Sequence, residues 1–143
     1  MLQRIQTIFL LLAGVCAILP FSLPAATTAT NSAESYLFAD GRFTLGDDTL
    51  LLICFGLAAL IWLVNIFMFK NRIMQIRLST LAILLVVIGG GYGGFLLGQD
   101  SAQAQMAIAA GIALPIAAMF FGLMANRYIK ADENLVRSSD RLR

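Results

Sequence analysis

The sequence predicts an all-α membrane protein, a four-transmembrane-helix bundle built from two helical hairpins with both termini in the cytoplasm. Three observations support this fold class. The 143-residue chain is 59% hydrophobic with a mean hydropathy of +0.84, so a soluble fold would lack the polar side chains to cover its surface. The apolar residues fall into four stretches, each long enough to cross a bilayer as a helix. The Lys and Arg residues cluster on one side of the resulting topology.

Four spans within a single membrane domain, residues 1–143, account for the apolar stretches. They are expected at about residues 5–23, 49–69, 78–97 and 106–124. The connecting segments are outer loops 24–48 and 98–105, a cytoplasmic linker 70–77 and a cytoplasmic tail 125–143. A cleaved signal peptide is the alternative interpretation of the first stretch, because Arg4 precedes it and small residues follow Pro24. We expect an uncleaved helix, because the apolar run is long for a signal peptide.

The positive charges orient the bundle. Of the ten Lys and Arg residues, Arg42 alone falls in a predicted outer loop. The linker carries Lys70, Arg72 and Arg77 without an intervening acid. Cations near the ends of spans are retained in the cytoplasm, so this distribution predicts that both termini are cytoplasmic. These membrane-edge cations form no block of the kind that binds nucleic acid.

The first outer loop contains a candidate β-hairpin. Asp40-Gly41 lies between two short runs with apolar residues at alternate positions, and this dipeptide is typical of a two-residue hairpin turn. In that register Phe38 faces Phe43 and Tyr36 faces Leu45. The alternative is an unstructured loop with anchoring aromatic side chains.

Two further features concern helix ends and helix shape. Asp47 and Asp48 directly precede the second span and predict an N-cap region, because carboxylates stabilise a helix N-terminus. Pro115 lies inside the fourth predicted span, where it should bend the helix. We expect this bend to be a static feature of the fold.

A glycine-rich segment in the third span predicts close helix packing. Gly89 and Gly93 lie beside a face with small residues every four positions, and the fourth span carries a similar face. The two predicted packing faces consist of Gly90, Gly94 and Gly98 and of Ala109, Ala113 and Ala117. Small residues let helices approach closely in lipid, so we expect spans three and four to form a tight hairpin.

The residue types argue against catalysis. The chain has no histidine, and its two cysteines, Cys16 and Cys54, lie in separate apolar stretches without a CxxC motif. Asn65 is the main strongly polar side chain within a span, and no acid or base lies in mid-span, as proton-coupled transporters usually require. We therefore expect no enzymatic activity, and we predict no catalytic, cofactor-binding or metal-binding residues.

The tail has the pattern of an amphipathic helix that continues the fourth span. Its stripe follows i, i+4, i+7 spacing and comprises Met124, Tyr128, Ala131, Leu135, Ser138 and Leu142. Glu133 and Arg137 are spaced for a favourable i, i+4 pair. This stripe could lie on anionic lipid, pack beneath the bundle or receive a partner protein.

Three segments carry a resemblance to a known family. They are MLQRIQT at residues 1–7, KNRIMQIRL at 70–78 and ANRYIKADENLVRSSDRLR at 125–143. Together they resemble a family of small bacterial four-span membrane proteins of unknown function. The resemblance implies an inner-membrane location and supplies no activity. All three segments fall on the predicted cytoplasmic side, which implies a docking surface there.

We therefore expect an accessory or assembly subunit of a larger inner-membrane complex. Its candidate contacts with a protein partner or with lipid headgroups are Arg4, Lys70, Arg72, Arg77, Arg127, Arg137 and Arg141. The alternative function is a small transporter or channel, with a path lined by Asn65, Tyr92 and the small-residue faces. Such a channel would need several copies of the chain, because four spans leave little room for a pore.

Overall fold

The computed structural model describes residues 2–28, 37–38, 40–69, 71–100 and 106–140, with the backbone alone at 2–4, 137, 139 and 140. The described residues form four α-helices, two short 3₁₀ helices and three short strands. The helices are α1 (Leu2–Ile18), α2 (Thr49–Phe67), α3 (Arg72–Gln99) and α4 (Ala113–Asp140). The strands are β1 (Ala26–Thr28), β2 (Arg42–Phe43) and β3 (Met106–Ile108). The 3₁₀ helices are Leu19–Phe21 and Ala110–Ile112.

The helices close into a bundle in which α1 packs against α2 and α4, and α3 packs against the same two helices. Three helical segments are long and apolar enough to cross a membrane: Thr49–Phe67, Arg72–Gln99 and Ala110–Val136. The apolar part of the first helix, Ile5–Phe21, is shorter. The prediction of four mainly apolar helices is therefore confirmed.

The helices contact one another largely through small residues and expose many large apolar ones. Small residues fill the contacts between helices, and Ala13, Ala58, Ala82 and Ala118 are fully buried. Some large apolar side chains, such as Phe55 and Trp62, are also fully buried, but many others point outward, as at Leu60, which is 57% exposed. Close contacts through small residues are typical of helices that associate in lipid, where burying large apolar groups gives little gain.

Local capping explains where the second and third helices begin. The Asp48 carboxylate accepts hydrogen bonds from the backbone N–H groups of Leu50 at 2.8 Å and Leu51 at 3.2 Å, so the predicted N-cap is confirmed. The side chain of Asn71 caps α3 by accepting from the Met74 N–H at 3.3 Å. Helix α3 consequently begins at Arg72, and most of the predicted linker 70–77 forms its first turns.

The fourth helix begins later than predicted. Residues 106–112, expected as the start of a span, form β3 and a 3₁₀ turn, and α4 starts at Ala113. Pro115 therefore lies in the first turn of α4 and not in its interior, a position where the missing N–H removes no helical hydrogen bond. At its other end α4 runs without a break to Asp140, so the predicted continuation into the tail is confirmed.

The three strands form one small antiparallel sheet in the order β2-β1-β3. Ala26 lies opposite Phe43 on one side and Ile108 on the other. The predicted hairpin was wrong in its pairing, because β2 pairs with β1 and the described Phe38 lies outside any strand. The expected Phe38–Phe43 contact does form, with ring centroids 6.3 Å apart, whereas Tyr36 lies outside the described residues.

A turn forms near Asp40-Gly41, but it closes from Phe38 to Gly41 and does not join two paired strands as the predicted hairpin turn would. The Gly41 N–H donates to the carbonyl of Phe38 at 3.1 Å, and Gly41 has a φ of 74°. That positive φ favours glycine, because a Cβ would collide with the backbone there. The turn delivers Arg42 to β2, where the Gly41 carbonyl also accepts from the Thr28 N–H at 3.0 Å.

Candidate functional site

The two ends of the bundle have different chemistry. We call the end that holds the α2–α3 turn and residues 125–140 of α4 the tail end. We call the opposite end, which holds the three strands and the 3₁₀ turns, the sheet end. Side chains with functional potential lie at both ends.

At the tail end, two amide side chains join α2 to α3. The Asn65 side chain donates to the backbone carbonyl of Gln75 at 2.9 Å, and the Gln75 side chain donates to the carbonyl of Asn65 at 3.1 Å. Both residues are buried, at 0% and 1% exposure. The Asn65 carbonyl belongs to the last turn of α2, so Gln75 supplies a partner that a helix C-terminus needs. Asn65 therefore has a structural role in this fold.

One turn deeper, a second polar contact links the same helices. The indole N–H of Trp62 donates to the hydroxyl of Ser79 at 3.3 Å, and both side chains are fully buried. Gly122 of α4 lies against this tryptophan, and a Cβ there would come within 2.8 Å of the ring. The contact fixes the depth at which α4 crosses the α2–α3 pair.

Several buried amide oxygens at the tail end accept no hydrogen bond from the described residues. These are Oε1 of Gln6 and Gln75 and Oδ1 of Asn65 and Asn126. They come from all four helices. Such atoms are normally satisfied by a partner or by water, because an unpaired buried acceptor costs about 1–3 kcal/mol. The tail end is therefore the polar part of an otherwise apolar interior.

Polar and aromatic side chains of α4 contact the other helices at this end. The Arg72 guanidinium lies 2.9 Å from Oδ2 of Asp132. The Asn126 side chain donates to the hydroxyl of Thr80 at 3.2 Å. The ring of Tyr128 stacks on Phe9 of α1, with centroids 5.3 Å apart.

The packed face of the tail differs from the predicted stripe. Ala125 and Ile129 are fully buried, whereas the predicted stripe residues Ala131, Leu135 and Ser138 are exposed. Of that stripe, Tyr128 packs through its stack on Phe9. The stripe residue Leu142 and the side chain of Arg137, the predicted partner of Glu133, lie outside the described part of the chain.

The predicted contact cations have different surroundings. Arg72 is engaged with Asp132, whereas Arg77 and Arg127 are exposed. The side chains of Arg4, Lys70, Arg137 and Arg141 lie outside the described residues. The structure thus gives Arg72 a role in helix packing that its position in a basic linker did not indicate.

Backbone hydrogen bonds join the elements of the sheet end. The Ala25 N–H donates to the Phe43 carbonyl at 2.7 Å, and the Gly111 N–H donates to the Pro24 carbonyl at 3.0 Å. Gly111 leaves no room for a side chain, because a Cβ would overlap that carbonyl and lie 2.7 Å from the carbonyl of Leu23. The 3₁₀ turn before α4 is therefore locked to the segment after α1.

An apolar groove of about 250 Å³ opens between α3, the start of α4 and the strands. Its walls include Phe43 of β2, Phe55 of α2 and Gly90 and Gly94 of α3. Every described residue that lines it is Ala, Phe, Leu, Gly, Ile or Pro. The groove can therefore hold an apolar group, and this lining offers no side-chain partner for a polar one.

The close contact of the glycine-rich segment differs from the predicted one. A Cβ at Gly90, Gly94 or Gly98 would meet no other atom within 4 Å. A Cβ at Gly89 would lie 2.8 Å from the Phe55 ring, and one at Gly93 would lie 3.5 Å from Leu51. The tight packing is thus made with α2 by the neighbouring glycine face.

The alanines predicted to oppose that face also have mixed surroundings. Ala113 is exposed, and Ala109 and Ala117 are half-buried. Ala109 precedes α4, and its N–H donates to the Ala25 carbonyl at 3.0 Å, so it belongs to the sheet end. The predicted alanine face is therefore not a single helix face, because Ala109 lies before α4 and the other two alanines lie within it.

Neither cysteine forms a disulfide, and Cys54 is buried while Cys16 is partly buried. Within the described ranges, no group of His, Cys, Asp and Glu residues could hold a metal ion.

Gln6, Gln75, Ser79 and Gly111 contribute to these sites and were not identified from the sequence. Gln6 and Gln75 carried a usable signal, because each is an amide side chain within or beside an apolar run. A polar side chain in such a place requires a buried partner or a position outside the membrane. Gly111 carried no signal, because only the fold brings Pro24 against it.

The architecture defines a class of small helical proteins with membrane-compatible spans, a polar tail end and an apolar groove. A family model described as a domain of unknown function, DUF4293, matches residues 2–142. The chain therefore belongs to this family, which agrees with the resemblance to a family without an assigned activity. No curated protein and no solved structure matches the chain.

Proposed function

We propose that the protein is an integral protein of the bacterial inner membrane with four spans and both termini in the cytoplasm. Three helical segments meet the length and hydropathy of a span. Helix α1 and the following 3₁₀ turn together measure about 31 Å, close to the roughly 30 Å of a hydrocarbon core. The cations then border the tail end, and Arg42 lies at the sheet end.

Within that membrane the protein acts as a non-enzymatic accessory or assembly subunit that docks through its tail end. One observation carries this proposal: α4 continues as a helical projection, residues 133–140, beyond the Arg72–Asp132 pair. These residues extend roughly 12 Å farther along the helix axis than Asp132. That projection presents Leu135 at 57% and Val136 at 41% exposure.

The projection has the features of a helical docking element. Its base is fixed by the Arg72–Asp132 pair and the Phe9–Tyr128 stack, so its direction is set before a partner arrives. Leu135 and Val136 would lie beyond the membrane surface, where apolar residues gain by being covered. A helix that lays apolar residues into a partner's groove is a common mode of protein recognition.

A photocrosslinking residue at position 135 in native membranes tests the docking function. We expect one stoichiometric heterologous adduct, because the projection meets the same partner in each copy. The matched control carries the crosslinker at Leu84 of α3, which is 55% exposed in mid-helix and should capture lipid. Adducts restricted to the protein itself at position 135 would overturn the accessory role.

The small oligomeric transporter remains the second candidate function, favoured by the buried amide oxygens of Gln6, Asn65 and Gln75, which accept no hydrogen bond from the described residues. A polar path would need such acceptors. Purified protein in proteoliposomes tests it: solute flux that falls in an Asn65→Leu variant of unchanged helicity supports transport. Flux equal to that of empty vesicles across ions and small solutes would reject it.

A further inference from the structure

We propose that the groove at the sheet end is a binding site for one acyl chain of a membrane lipid. This site rests on the membrane placement proposed above and is independent of docking through the tail end. The two features lie at opposite ends of the bundle, so each can be tested without disturbing the other.

The chemistry of the lining selects a hydrocarbon ligand. Phe43, Leu45 and Phe55 form apolar walls, and the glycines of α3 form the floor. The hollow of about 250 Å³ is larger than the roughly 150 Å³ apolar cavities that take up benzene. It therefore has room for several methylene groups, and each would make dispersion contacts with the lining side chains.

The shape of the groove matches a chain more closely than a compact ligand. A second hollow of about 230 Å³ continues it toward the middle of the bundle and shares Gly90, Pro115 and Ile116 with it. Along α3 the two hollows run from Leu97 to Val86, a distance of about 16 Å. This is about half of the roughly 30 Å hydrocarbon core, the depth reached by a lipid of one leaflet.

The groove exists because particular glycines lack side chains. A Cβ at Gly90 or Gly94 would project into open space, whereas Gly89 and Gly93 are filled from the other side by α2. The start of α4 cannot close over the floor, because Gly111 ties the preceding turn to the Pro24 carbonyl. The sequence of α3 thus keeps one glycine face for helix packing and an adjacent one open.

A lipid chain fits this space better than a second copy of the protein. A helix with its side chains is about 10 Å across, far wider than a hydrocarbon chain. A hydrocarbon chain is narrow, and the bilayer supplies it at the open side of the groove. Self-association through this face is therefore the competing outcome of the test.

Native mass spectrometry of the full chain in mild detergent, after delipidation and titration with phosphatidylethanolamine, tests the site. The test variant is Gly94→Leu, whose side chain would occupy the groove. The control is Gly98→Leu on the same helix, where a Cβ also meets nothing within 4 Å but the residue does not line the groove. Circular dichroism checks that each variant keeps its helices.

We expect the wild type and Gly98→Leu to retain one phospholipid per chain, and Gly94→Leu to bind at least about tenfold more weakly. Equal binding by the two variants, or no retained lipid in the wild type, would overturn the site. Loss of a dimer in Gly94→Leu without bound lipid in the wild type would assign the groove to a second copy. Release of the protein from membranes by alkaline extraction would instead reject the membrane placement itself.

Discussion

The tail end and the sheet end differ in the kind of contact that connects the helices. At the tail end, side chains make the links between helices: Asn65 and Gln75 each donate to the other's backbone carbonyl, and Arg72 pairs with Asp132. At the sheet end, backbone groups make the links, and a groove of about 250 Å³ remains. Specific polar contacts set helix register at one end, whereas the other end keeps space for an apolar ligand.

The adjacent glycines of α3 make the same contrast at the scale of one residue. Gly89 is buried against Phe55, and Gly90 beside it faces open space. Both residues are glycines in the same helix, so the sequence alone does not distinguish them. In the fold, one allows close packing and the other leaves a cavity. Substitutions at such pairs can separate packing from binding.

The largest expected effect is at Gly111 in the sheet end. Alanine there would place a Cβ against the carbonyls of Pro24 and Leu23, which are backbone atoms and cannot move aside cheaply. We expect Gly111→Ala to lower the free energy of unfolding by about 4 kcal/mol or more, or to prevent folding. Thermal unfolding in detergent followed by circular dichroism measures it.

Gly46→Ala is the matched control in the same region. A Cβ at Gly46 would make an ordinary contact with the Thr44 hydroxyl at 3.6 Å. We expect its effect to stay within about 0.5 kcal/mol. If the two alanine variants unfold at the same temperature, the lock between Gly111 and Pro24 does not hold the sheet end.

The second effect compares the adjacent glycines directly. Gly89→Ala brings a Cβ within 2.8 Å of Phe55 and 3.1 Å of Cys54, and should cost about 1–3 kcal/mol through overpacking. Gly90→Ala meets nothing and should be neutral or stabilise by up to about 1 kcal/mol, because alanine favours the helix. Unfolding in a denaturing detergent gives both values, and equal effects would contradict the assignment of the two faces.

The helices could be predicted from the sequence because each rests on local information. Apolar runs long enough for a span predict them, and Asp48 marks the start of α2. The sheet could not be predicted, because β1 pairs with β3 across most of the chain and β3 lies in an apolar stretch that also suits a helix. Local periodicity carries no information on such pairing.

The candidate sites show a second reason why the sequence predicts only part of the structure. The four-residue spacing of Gly90 and Gly94 shows that they share a helix face, but it cannot show which neighbour that face meets. Asn65 was recognised as unusual, yet its exchange with Gln75 depends on how α2 and α3 align. Sequence patterns identify the face or the side chain, and the tertiary fold assigns its partner.

The third effect concerns the exchange at the tail end. Asn65→Ala and Gln75→Ala should each lower the free energy of unfolding by about 1 kcal/mol, and the double variant by about their sum, because each side chain donates to the backbone carbonyl of the other residue, which alanine keeps. The control is Gln99→Ala, which should leave the stability unchanged, since Gln99 is exposed at the far end of α3. Thermal unfolding in detergent measures the four variants, and losses no larger than that of the control would show that the exchange contributes no stability.

The smallest expected effect is at the ion pair that fixes the base of the projecting tail. Arg72→Gln should cost about 0.5 kcal/mol, because the pair is partly solvated and its charges are screened. Hydrogen exchange should show a clearer local effect than the overall stability does: amide exchange over residues 133–140 should quicken, since this part of the helix loses the Arg72 contact at its base. Arg77→Gln, an exposed cation on the same helix, should leave that exchange unchanged. The reversed pair Arg72→Asp with Asp132→Arg should restore slow exchange. If neither Arg72→Gln nor the reversed pair changes the exchange, the ion pair does not hold the tail and other contacts, such as the Phe9–Tyr128 stack, do.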